Sequence, residues 1–141
     1  MNAKQLWDKS GLQGEYEAWA FGGDPDGLAA LVKTGIKTAT CSAYCFYELE
    51  EEPLPEVGGY SVILDSHDNA VCIIQTTKVY VGSYATTSPE HAYKEGEGDR
   101  SLAYWKKVHE EFFKEELKSI THGFDENMEL VYEEFKVVYA V

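Results

Sequence analysis

Residues 35–40 of the chain read Gly-Ile-Lys-Thr-Ala-Thr, and the change from helix to strand falls within them. Upstream, Asp24 and Pro25 are typical of a helix N-terminus, since an Asp side chain accepts hydrogen bonds from free N–H groups and proline fits the first turn. Gly35 ends that helix because glycine readily adopts the left-handed conformation of a C-terminal cap. The Thr-rich residues that follow favour strand. We therefore predict a helix from Asp24 to Gly35 and an extended segment over residues 36–44.

Two apolar strands follow an acidic, proline-containing loop over residues 48–59. Residues 60–64 and 71–81 are rich in β-branched side chains, and the Asp, Ser and Asn residues at 65–69 favour a turn. This pattern predicts a β-hairpin. A last strand is predicted over residues 130–139, where Phe, Val and Tyr alternate with their neighbours.

Two helices are predicted between the hairpin and the last strand. Ser88 and Pro89 resemble a capped helix start, and Gly96 is expected to end this short helix. From Asp99 to about Ile120 apolar residues recur at three- and four-residue steps, which predicts a long amphipathic helix capped by Asp99. The order of elements indicates an α+β fold with a mostly antiparallel sheet. Such a sheet can curl into a small β-barrel with helices packed around a cleft.

Chain length and net charge limit the classes of function that the protein can have. A chain of 141 residues is expected to form one domain with a genuine core. It carries 12 basic and 25 acidic residues, a formal charge of −13. That charge repels the phosphate backbone, so duplex DNA is an unfavourable partner, whereas a small ligand or a short single strand held by stacking stays open. The apolar runs are too short to span a membrane.

The cysteines, histidines and N-terminus bear on location and cofactors. Residues 1–12 lack the apolar core of a secretory signal, so we expect a cytoplasmic protein. The three cysteines are odd in number and form no C-x-x-C pair, which indicates reduced thiols. The histidines have no ligand spacing, so we expect neither a metal nor another cofactor and place them in turns, on the surface or in the core. They are His67, His91, His109 and His122.

Three motifs are more specific than the fold pattern requires. The first is the Gly-Ile-Lys-Thr-Ala-Thr stretch at residues 35–40, and the second is Glu-Gly-Glu-Gly-Asp-Arg-Ser-Leu-Ala-Tyr-Trp at residues 95–105. The third is Pro-Glu-Val-Gly-Gly-Tyr at residues 55–60. With these motifs the chain resembles the ASCH domain family, small relatives of the PUA-like barrel, from about residue 16 to 138. The resemblance implies a single PUA-like domain. Residues 1–14 lie outside the resemblance, and we expect them to form a helical N-terminal extension.

The resemblance also implies a function. ASCH domains are proposed to bind RNA or a nucleoside in a cleft, and some small members are amidohydrolases on N4-acylated cytidine that use a Lys, a Thr and a Glu. In this sequence the corresponding catalytic residues are Lys37, Thr40 and Glu95. This chain is longer than those small enzymes and has an additional long helix with Trp105, so it resembles a different branch of the family more closely. We expect a nucleoside-like small molecule and a candidate amide-bond hydrolase, or alternatively a non-catalytic RNA-binding or regulatory module.

The chemistry of the three predicted catalytic residues leaves two assignments open. A Thr hydroxyl needs a base, and a neutral Lys amine can serve, but residues three apart on a regular strand point to opposite faces. A Lys37–Thr40 pair therefore needs an irregular backbone. If Glu95 raises the pKa of Lys37, then Lys37 and Thr40 orient a carbonyl while Glu95 handles the proton. A structural role for Lys37 and Thr40 is the simpler alternative.

Further ligand contacts are predicted from aromatic faces and polar groups near these motifs. They are Trp19, Phe21, Thr38, Ser42, Tyr44, Glu97 and Arg100. Arg100 is the only arginine, and we expect it either to form an internal ion pair with Glu95 or Asp99 or to meet a ligand anion. The RNA alternative predicts instead a basic cluster. Its members are Lys33, Lys37, Lys78 and Lys94. The acidic surface also leaves a protein partner open, and the oligomeric state is not readable.

Overall fold

A computed structural model describes all 141 residues, and it contains one mixed sheet and five helices. The strands are β1 (Glu17–Ala20), β2 (Ala39–Ala43), β3 (Tyr60–Leu64), β4 (Ala70–Ser83) and β5 (Glu129–Ala140). The helices are α1 (Ala3–Ser10), α2 (Pro25–Lys33), α3 (Tyr44–Leu49), α4 (Pro89–Glu95) and α5 (Leu102–Leu117). Short 3₁₀ turns cover Tyr84–Thr86 and Lys118–Ile120. The chain therefore has the α+β fold that the sequence predicts.

The sheet forms a half-barrel whose two edges stay unpaired. Its strand order is β1-β3-β4-β5-β2. All neighbouring strands are antiparallel except β1 and β3. Register shifts in β4 near Ile73 and Thr76 interrupt its pairing with β5, and such bulges bend a strand. The sheet curves into a half-barrel around which the helices pack, with β1 and β2 as its edges.

Helix α2 and strand β2 agree with the predicted helix-to-strand change. Asp24 accepts a hydrogen bond from the Gly27 N–H, and Gly35 has a φ of 82°. The strand begins only at Ala39, however, and the predicted extended segment does not continue through Tyr44. Tyr44 begins α3, which the sequence analysis missed because its short apolar run fits a strand as well as a helix.

Strand β1 was also missed. It has four residues, is mostly exposed, and runs parallel to β3 from Glu17 opposite Ser61. A short edge strand with little apolar alternation gives no local signal, because its conformation depends on the partner strand. The predicted hairpin and last strand are confirmed, although β4 extends to Ser83 and β5 to Ala140.

Helices α4 and α5 are confirmed, with one change of cap. The Ser88 hydroxyl accepts a hydrogen bond from the His91 N–H, and Gly96 ends α4 with a φ of 74°. Helix α5 is capped by Ser101 rather than Asp99. Asp99 instead accepts a hydrogen bond from the Ser101 N–H, which places its carboxylate in a turn before the helix.

Three apolar clusters hold the helices on the sheet. Helix α1 lies in the predicted N-terminal extension and buries Leu6 and Trp7 with residues of β3 and β4. Helix α2 buries Val32 against the middle of the sheet, and α5 buries Trp105 and Phe113 near the β2 edge. No helix is both long and apolar enough to cross a membrane.

Candidate functional site

A cavity of about 980 Å³ opens between the two edge strands of the half-barrel. Trp19 and Phe21 line it from β1 and the residue after it, and Thr40, Cys41 and Ser42 line it from β2. Phe112 of α5 and residues of the loop before β3 contribute to it as well. The cavity exists because β1 and β2 do not pair with each other.

Aromatic rings and carboxylates form much of this lining. The rings belong to Tyr16, Trp19, Phe21, Tyr47, Tyr60 and Phe112. The charged side chains are all acidic, namely Glu15, Glu17, Glu52, Glu56, Glu116 and Glu133. The hydroxyls of Ser42 and Tyr47, which also line the cavity, form a hydrogen bond to each other at 2.8 Å, and each hydroxyl keeps further hydrogen-bonding capacity. Burial, with the charge of Glu17 added, raises the pKa of Glu133 to about 7.

A buried ion cluster lies next to this cavity. Lys37 Nζ lies 3.2 Å from Glu95 Oε1 and 3.2 Å from Glu97 Oε2. It also donates to the Glu95 carbonyl oxygen at 3.3 Å. The side chains of Lys37 and Glu95 are each 1% exposed. The sequence-predicted Lys and Glu are thus in direct contact.

The loop before β2 brings Lys37 to the end of α4. The N–H of Thr38 donates to the Lys94 carbonyl oxygen at 2.7 Å, and the Thr38 carbonyl oxygen accepts from the Phe135 N–H at 3.0 Å. Gly96 permits this approach, because a Cβ there would lie 2.6 Å from the Ile36 carbonyl oxygen. The glycine in the second motif therefore has a defined role, which is to let two backbone segments touch.

Glu95 also contacts side chains of α4 and α5. His91 Nε2 and Trp105 Nε1 each lie 2.7 Å from Glu95 Oε2. His109 Nε2 lies 3.4 Å from Glu95 Oε1. With Lys37, four donor groups surround this one carboxylate, and no buried side-chain nitrogen or oxygen lacks a hydrogen-bond partner.

The pKa values in the cluster are governed by burial and by ion pairing. Burial would raise the pKa of Glu95, but Lys37 and the two histidines outweigh it and hold that pKa well below its ordinary value. Burial would lower the pKa of Lys37, but Glu95 and Glu97 raise it. Burial would likewise lower the pKa of His109, yet Glu95 raises it. Glu95 is therefore a carboxylate, and Lys37 is an ammonium rather than a base.

A hydrogen-bond chain continues from Glu95 through α4 into the sheet. His91 Nδ1 lies 3.2 Å from the Tyr80 hydroxyl. The rings of Tyr80 and Tyr132 then stack with their centres 4.8 Å apart. The Tyr132 hydroxyl forms a hydrogen bond with Thr87 Oγ1 at 2.6 Å. Because both ring nitrogens of His91 have partners, the imidazole is fixed in orientation, which fixes the Glu95 carboxylate in turn.

Cys41 and Phe21 separate the ion cluster from the cavity. Both residues line the cavity. Lys37 Nζ lies 5.4 Å from the centre of the Phe21 ring. The Cys41 thiol, within 4.8 Å of His91 and Glu95 ligand atoms, faces the cluster. Burial, reinforced by Glu95, raises the pKa of Cys41 well above its ordinary value, so this thiol is protonated.

Of the predicted catalytic residues, Thr40 alone lines the cavity. No hydrogen bond joins Thr40 to Lys37 or Glu95. Strand β2 is regular from Ala39 to Ala43 in its pairing with β5, so the irregular backbone that a Lys37–Thr40 pair requires does not occur within it. The structure therefore places Lys37 and Glu95 together and Thr40 beside the ligand space.

The predicted ligand contacts divide in the same way. Trp19, Phe21 and Ser42 line the cavity, whereas Thr38, Tyr44, Glu97 and Arg100 do not. Thr38 joins α4 to β5, Tyr44 begins α3, and Glu97 binds Lys37.

Arg100 acts within the protein, although not through the expected ion pair with Glu95 or Asp99. Its Nε donates to the Tyr93 carbonyl oxygen at 3.0 Å, and its Nη2 donates to the Ile36 carbonyl oxygen at 3.3 Å. Its guanidinium lies 3.6 Å from the centre of the Tyr93 ring. Arg100 therefore holds the end of α4 against the loop before β2.

Sequence reasoning missed the partners of Glu95. It placed His91 and His109 among turn, surface or core histidines and assigned neither of them, nor Trp105, a contact with Glu95. The available signal was the four-residue spacing of His91 and Glu95 on α4 and of Trp105 and His109 on α5. Residues four apart share a helix face, so two such pairs predict two polar helix faces that can meet.

Two donor sets in the cluster contain the residue types of a metal site. They are Cys41, His91 and Glu95, and Glu95, Glu97 and His109. Both sets depend on Glu95, whose oxygens already face four donors. Since Lys37 supplies the positive charge, we interpret the cluster as an internal ion network rather than a metal centre.

Comparison with known proteins places this architecture in a family. The family model described as ASCH domain matches residues 17–139. The chain is 32% identical to the ASCH domain from Lactobacillus crispatus JV V101, covering 96% of this chain and 93% of that one with a TM-score of 0.91. It is 38% identical to protein EF3133 from Enterococcus faecalis V583, covering 97% and 85% with a TM-score of 0.86.

A more distant likeness concerns the fold alone. An ASCH protein variant from Zymomonas mobilis is 13% identical over 86% of this chain and 70% of that one, with a TM-score of 0.52. No curated protein is significantly similar in sequence. The family model covers β1 to β4, all but the last residue of β5, and helices α2 to α5, and the two close structures cover nearly the whole chain. This chain therefore belongs to the ASCH domain family.

Proposed function

We propose that the protein binds a nucleoside-like small molecule in the cavity between β1 and β2. The observation that carries the proposal is the cavity itself, about 980 Å³ in volume and lined by aromatic rings. A nucleobase stacked on such a ring gains about 1–3 kcal/mol, and hydroxyl groups at the cavity wall can pair with its polar edge. The rings of Trp19 and Phe21 pack edge to face with their centres 4.8 Å apart, which fixes the orientation of both rings.

Hydrolysis of an amide on this ligand, as in N4-acylated cytidine, is the activity that we propose for the site. Water adds to the acyl carbon, the bond from that carbon to the amine nitrogen breaks, and a proton passes to the amine, which leaves. Thr40 lines the cavity and can donate a hydrogen bond to the acyl oxygen. Lys37 contributes positive charge from behind Phe21 rather than acting as a base.

Glu95 has a positioning role in this proposal. Its carboxylate is ionised and surrounded by donors, so neither oxygen is free to take up the proton of the attacking water. It holds Lys37 and both histidines instead. The arrangement thus favours the assignment with a charged Lys37 over the one with a neutral Lys37, and it leaves the proton transfer to water and the leaving amine.

Titration of the purified protein with cytidine and N4-acetylcytidine tests binding. Trp19→Ala is expected to weaken binding about tenfold or more, because about 1–3 kcal/mol of stacking is lost. Tyr104→Ala is the matched control, since this exposed ring on α5 lies outside the cavity. Absence of binding at millimolar nucleoside, or equal loss in both variants, contradicts the proposal.

Release of cytidine from N4-acetylcytidine tests the activity. Thr40→Val keeps the shape of the side chain and removes its hydroxyl, so turnover is expected to fall about a hundredfold. Thr38→Val is the control, because Thr38 lies two residues away and does not line the cavity. Unchanged turnover in Thr40→Val rejects the assigned role, and binding without turnover in the unaltered protein leaves a binding module.

Single-stranded RNA is the competing ligand, and the charge distribution disfavours it. Lys37 is buried against Glu95 and Glu97. Lys78 and Lys94 both contact Glu134, at 3.8 Å and 2.9 Å. Three of the four lysines of the predicted basic cluster are paired in this way, which reduces their contribution to phosphate binding. Salt-sensitive RNA binding that competes with nucleoside would nevertheless support that alternative.

A further inference from the structure

The charge of the cavity points to a narrower class of ligand. Six glutamates line it, and no Lys, Arg or His does. The ion pairs of the protein involve other carboxylates, so none of the six has a cationic partner. None of these six side chains accepts a hydrogen bond from the protein either. The protein therefore lines this cavity with negative charge and supplies no cationic side chain to balance it.

Three of these carboxylates, Glu17, Glu52 and Glu133, line the cavity together with Tyr47, and Glu133 lies opposite Thr40, another lining residue, in the pairing of β5 with β2. Burial raises the pKa of the Tyr47 hydroxyl, and the charges of Glu133, Glu17 and Glu52 raise it further. Glu133 is only partly exposed, so its charge is poorly solvated. A positive group placed among Glu17, Glu52 and Glu133 would relieve their mutual repulsion, which gives such a group a specific reason to bind there.

The spacing of the carboxylates favours an organic cation over a metal ion. The groups in which three or more ligand atoms lie within 4.8 Å of one another are both in the buried cluster, and neither includes a cavity glutamate. A single divalent ion needs several oxygens around one point. An elongated ammonium or guanidinium compound can instead contact carboxylates that are spread over a wall, and its charge is also attracted to aromatic faces.

We propose that the ligand of this cavity carries a positive charge as well as a planar ring: a nucleoside-like molecule with an ammonium or guanidinium substituent. This inference rests on the proposed function, which makes the cavity the ligand site. If the protein hydrolyses this ligand, the substrate is an amide whose acyl group carries the ammonium or guanidinium substituent. The aromatic rings bind the base, and the carboxylates around Tyr47 bind the charged end.

Three cytidines acylated at N4 with chains of equal length test the charge preference by calorimetric titration at low salt. One chain ends in an ammonium, one in a methyl group and one in a carboxylate. We expect the ammonium compound to bind at least about tenfold more tightly than the methyl compound, and the carboxylate compound to bind more weakly than either. Equal affinity for the ammonium and methyl compounds, or tighter binding of the carboxylate compound, overturns the inference.

Variants locate the charged end. Glu17→Gln and Glu133→Gln are each expected to weaken binding of the ammonium compound about fivefold and to leave the affinity for the methyl compound unchanged. Glu111→Gln is the matched control, because Glu111 is exposed on α5 and does not line the cavity. Equal effects of the cavity variants on both compounds contradict the proposed contact, as does displacement of the ammonium compound by millimolar Mg²⁺.

Failure of the charge inference and failure of the proposed function give different results. If the methyl compound binds as well as the ammonium compound, the cavity is a nucleoside site without charge preference. A second outcome is that none of the cytidines binds, that tryptamine binds, and that Glu133→Gln weakens tryptamine binding. In that case the cation preference holds and the nucleoside proposal is wrong. If neither cytidines nor tryptamine bind, both are wrong.

Discussion

Lys37 and Glu95 lie 58 residues apart in the chain, yet their charged atoms are 3.2 Å apart and both side chains are 1% exposed. Such a pair costs much desolvation, so it persists only with further hydrogen bonds. Glu97, His91, His109 and Trp105 supply them. The pair thereby joins α4, α5 and the loop before β2 at one point beside the cavity.

Removing one charge of this pair is expected to destabilise the protein strongly. Lys37→Met leaves Glu95 and Glu97 without their cation and should lower the free energy of unfolding by about 3–5 kcal/mol. The double variant Lys37→Met/Glu95→Gln should lose less than the sum of its single variants. Urea denaturation monitored by circular dichroism measures the free energy of unfolding of the single and double variants.

Lys4→Met is the control for this prediction. Lys4 forms a pair with Asp8 at 2.7 Å, but the two side chains are 77% and 60% exposed. Its removal should lower the free energy of unfolding far less than Lys37→Met does, because solvent screens an exposed pair. A Lys37→Met variant that is no less stable than Lys4→Met would show that the buried pair contributes nothing.

The pKa of His109 is expected to lie above the ordinary value for a histidine. Burial alone would lower its pKa, but the hydrogen bond and charge of Glu95 raise it, while Nδ1 faces the Trp105 carbonyl oxygen at 2.9 Å. A raised pKa in the folded state stabilises the protein below the unfolded-state pKa. This stabilisation is lost as the pH rises through the folded-state pKa.

Nuclear magnetic resonance of the imidazole protons measures the titration of His109. Glu95→Gln should lower the pKa of His109, and Glu111→Gln should leave it unchanged. If the pKa of His109 does not respond to Glu95→Gln, then Glu95 is not the cause of the shift.

Gly96→Ala is expected to be more disruptive than the same change at another helix end. Gly96 and Gly11 both end a helix in the left-handed conformation, with φ of 74° and 76°. A Cβ at Gly96 would lie 2.6 Å from the Ile36 carbonyl oxygen, whereas one at Gly11 meets nothing within 4 Å. Gly11→Ala should cost about 1 kcal/mol and Gly96→Ala at least about 2 kcal/mol more.

Thermal and urea unfolding of both glycine variants measure this difference. Equal stability of Gly11→Ala and Gly96→Ala would mean that the close approach of α4 to the loop before β2 is absent in solution. The Lys37–Glu95 contact would then be in doubt as well, since both residues adjoin that approach.

Glu133→Gln is expected to stabilise the protein in a pH-dependent way. Burial and Glu17 raise the pKa of Glu133 from an ordinary value of 4.5 to about 7. The folded state therefore binds more protons than the unfolded state between these values, and stability falls as the pH rises through them. The variant lacks this loss, so at pH 8 it should be more stable by about 1–3 kcal/mol.

Chemical denaturation at pH 4.5 and at pH 8 measures the effect of Glu133→Gln. The gain should be small at pH 4.5 and larger at pH 8, whereas Glu111→Gln should change stability equally at both. A gain that does not grow with pH would show that Glu133 is ionised normally in the folded protein.

Local sequence patterns predict most of the elements, with particular exceptions. Asp24, Ser88 and Gly96 mark helix ends through their own backbone preferences, which act over three or four residues. Strand β1 and helix α3 escape such signals. The conformation of β1 depends on pairing with β3, and α3 is too short for a period to appear.

The sequence by itself determined the family, the fold class and the identity of Lys37, Thr40 and Glu95 as notable residues, because motifs and capping signals are local. Only the tertiary structure decided that Lys37 and Glu95 form a closed ion cluster with two histidines, that Thr40 lies apart from them, and that unpaired carboxylates line the cavity. These relationships join residues distant in the chain. They depend on the packing of α4 and α5 against the open half-barrel, a packing that no local pattern encodes.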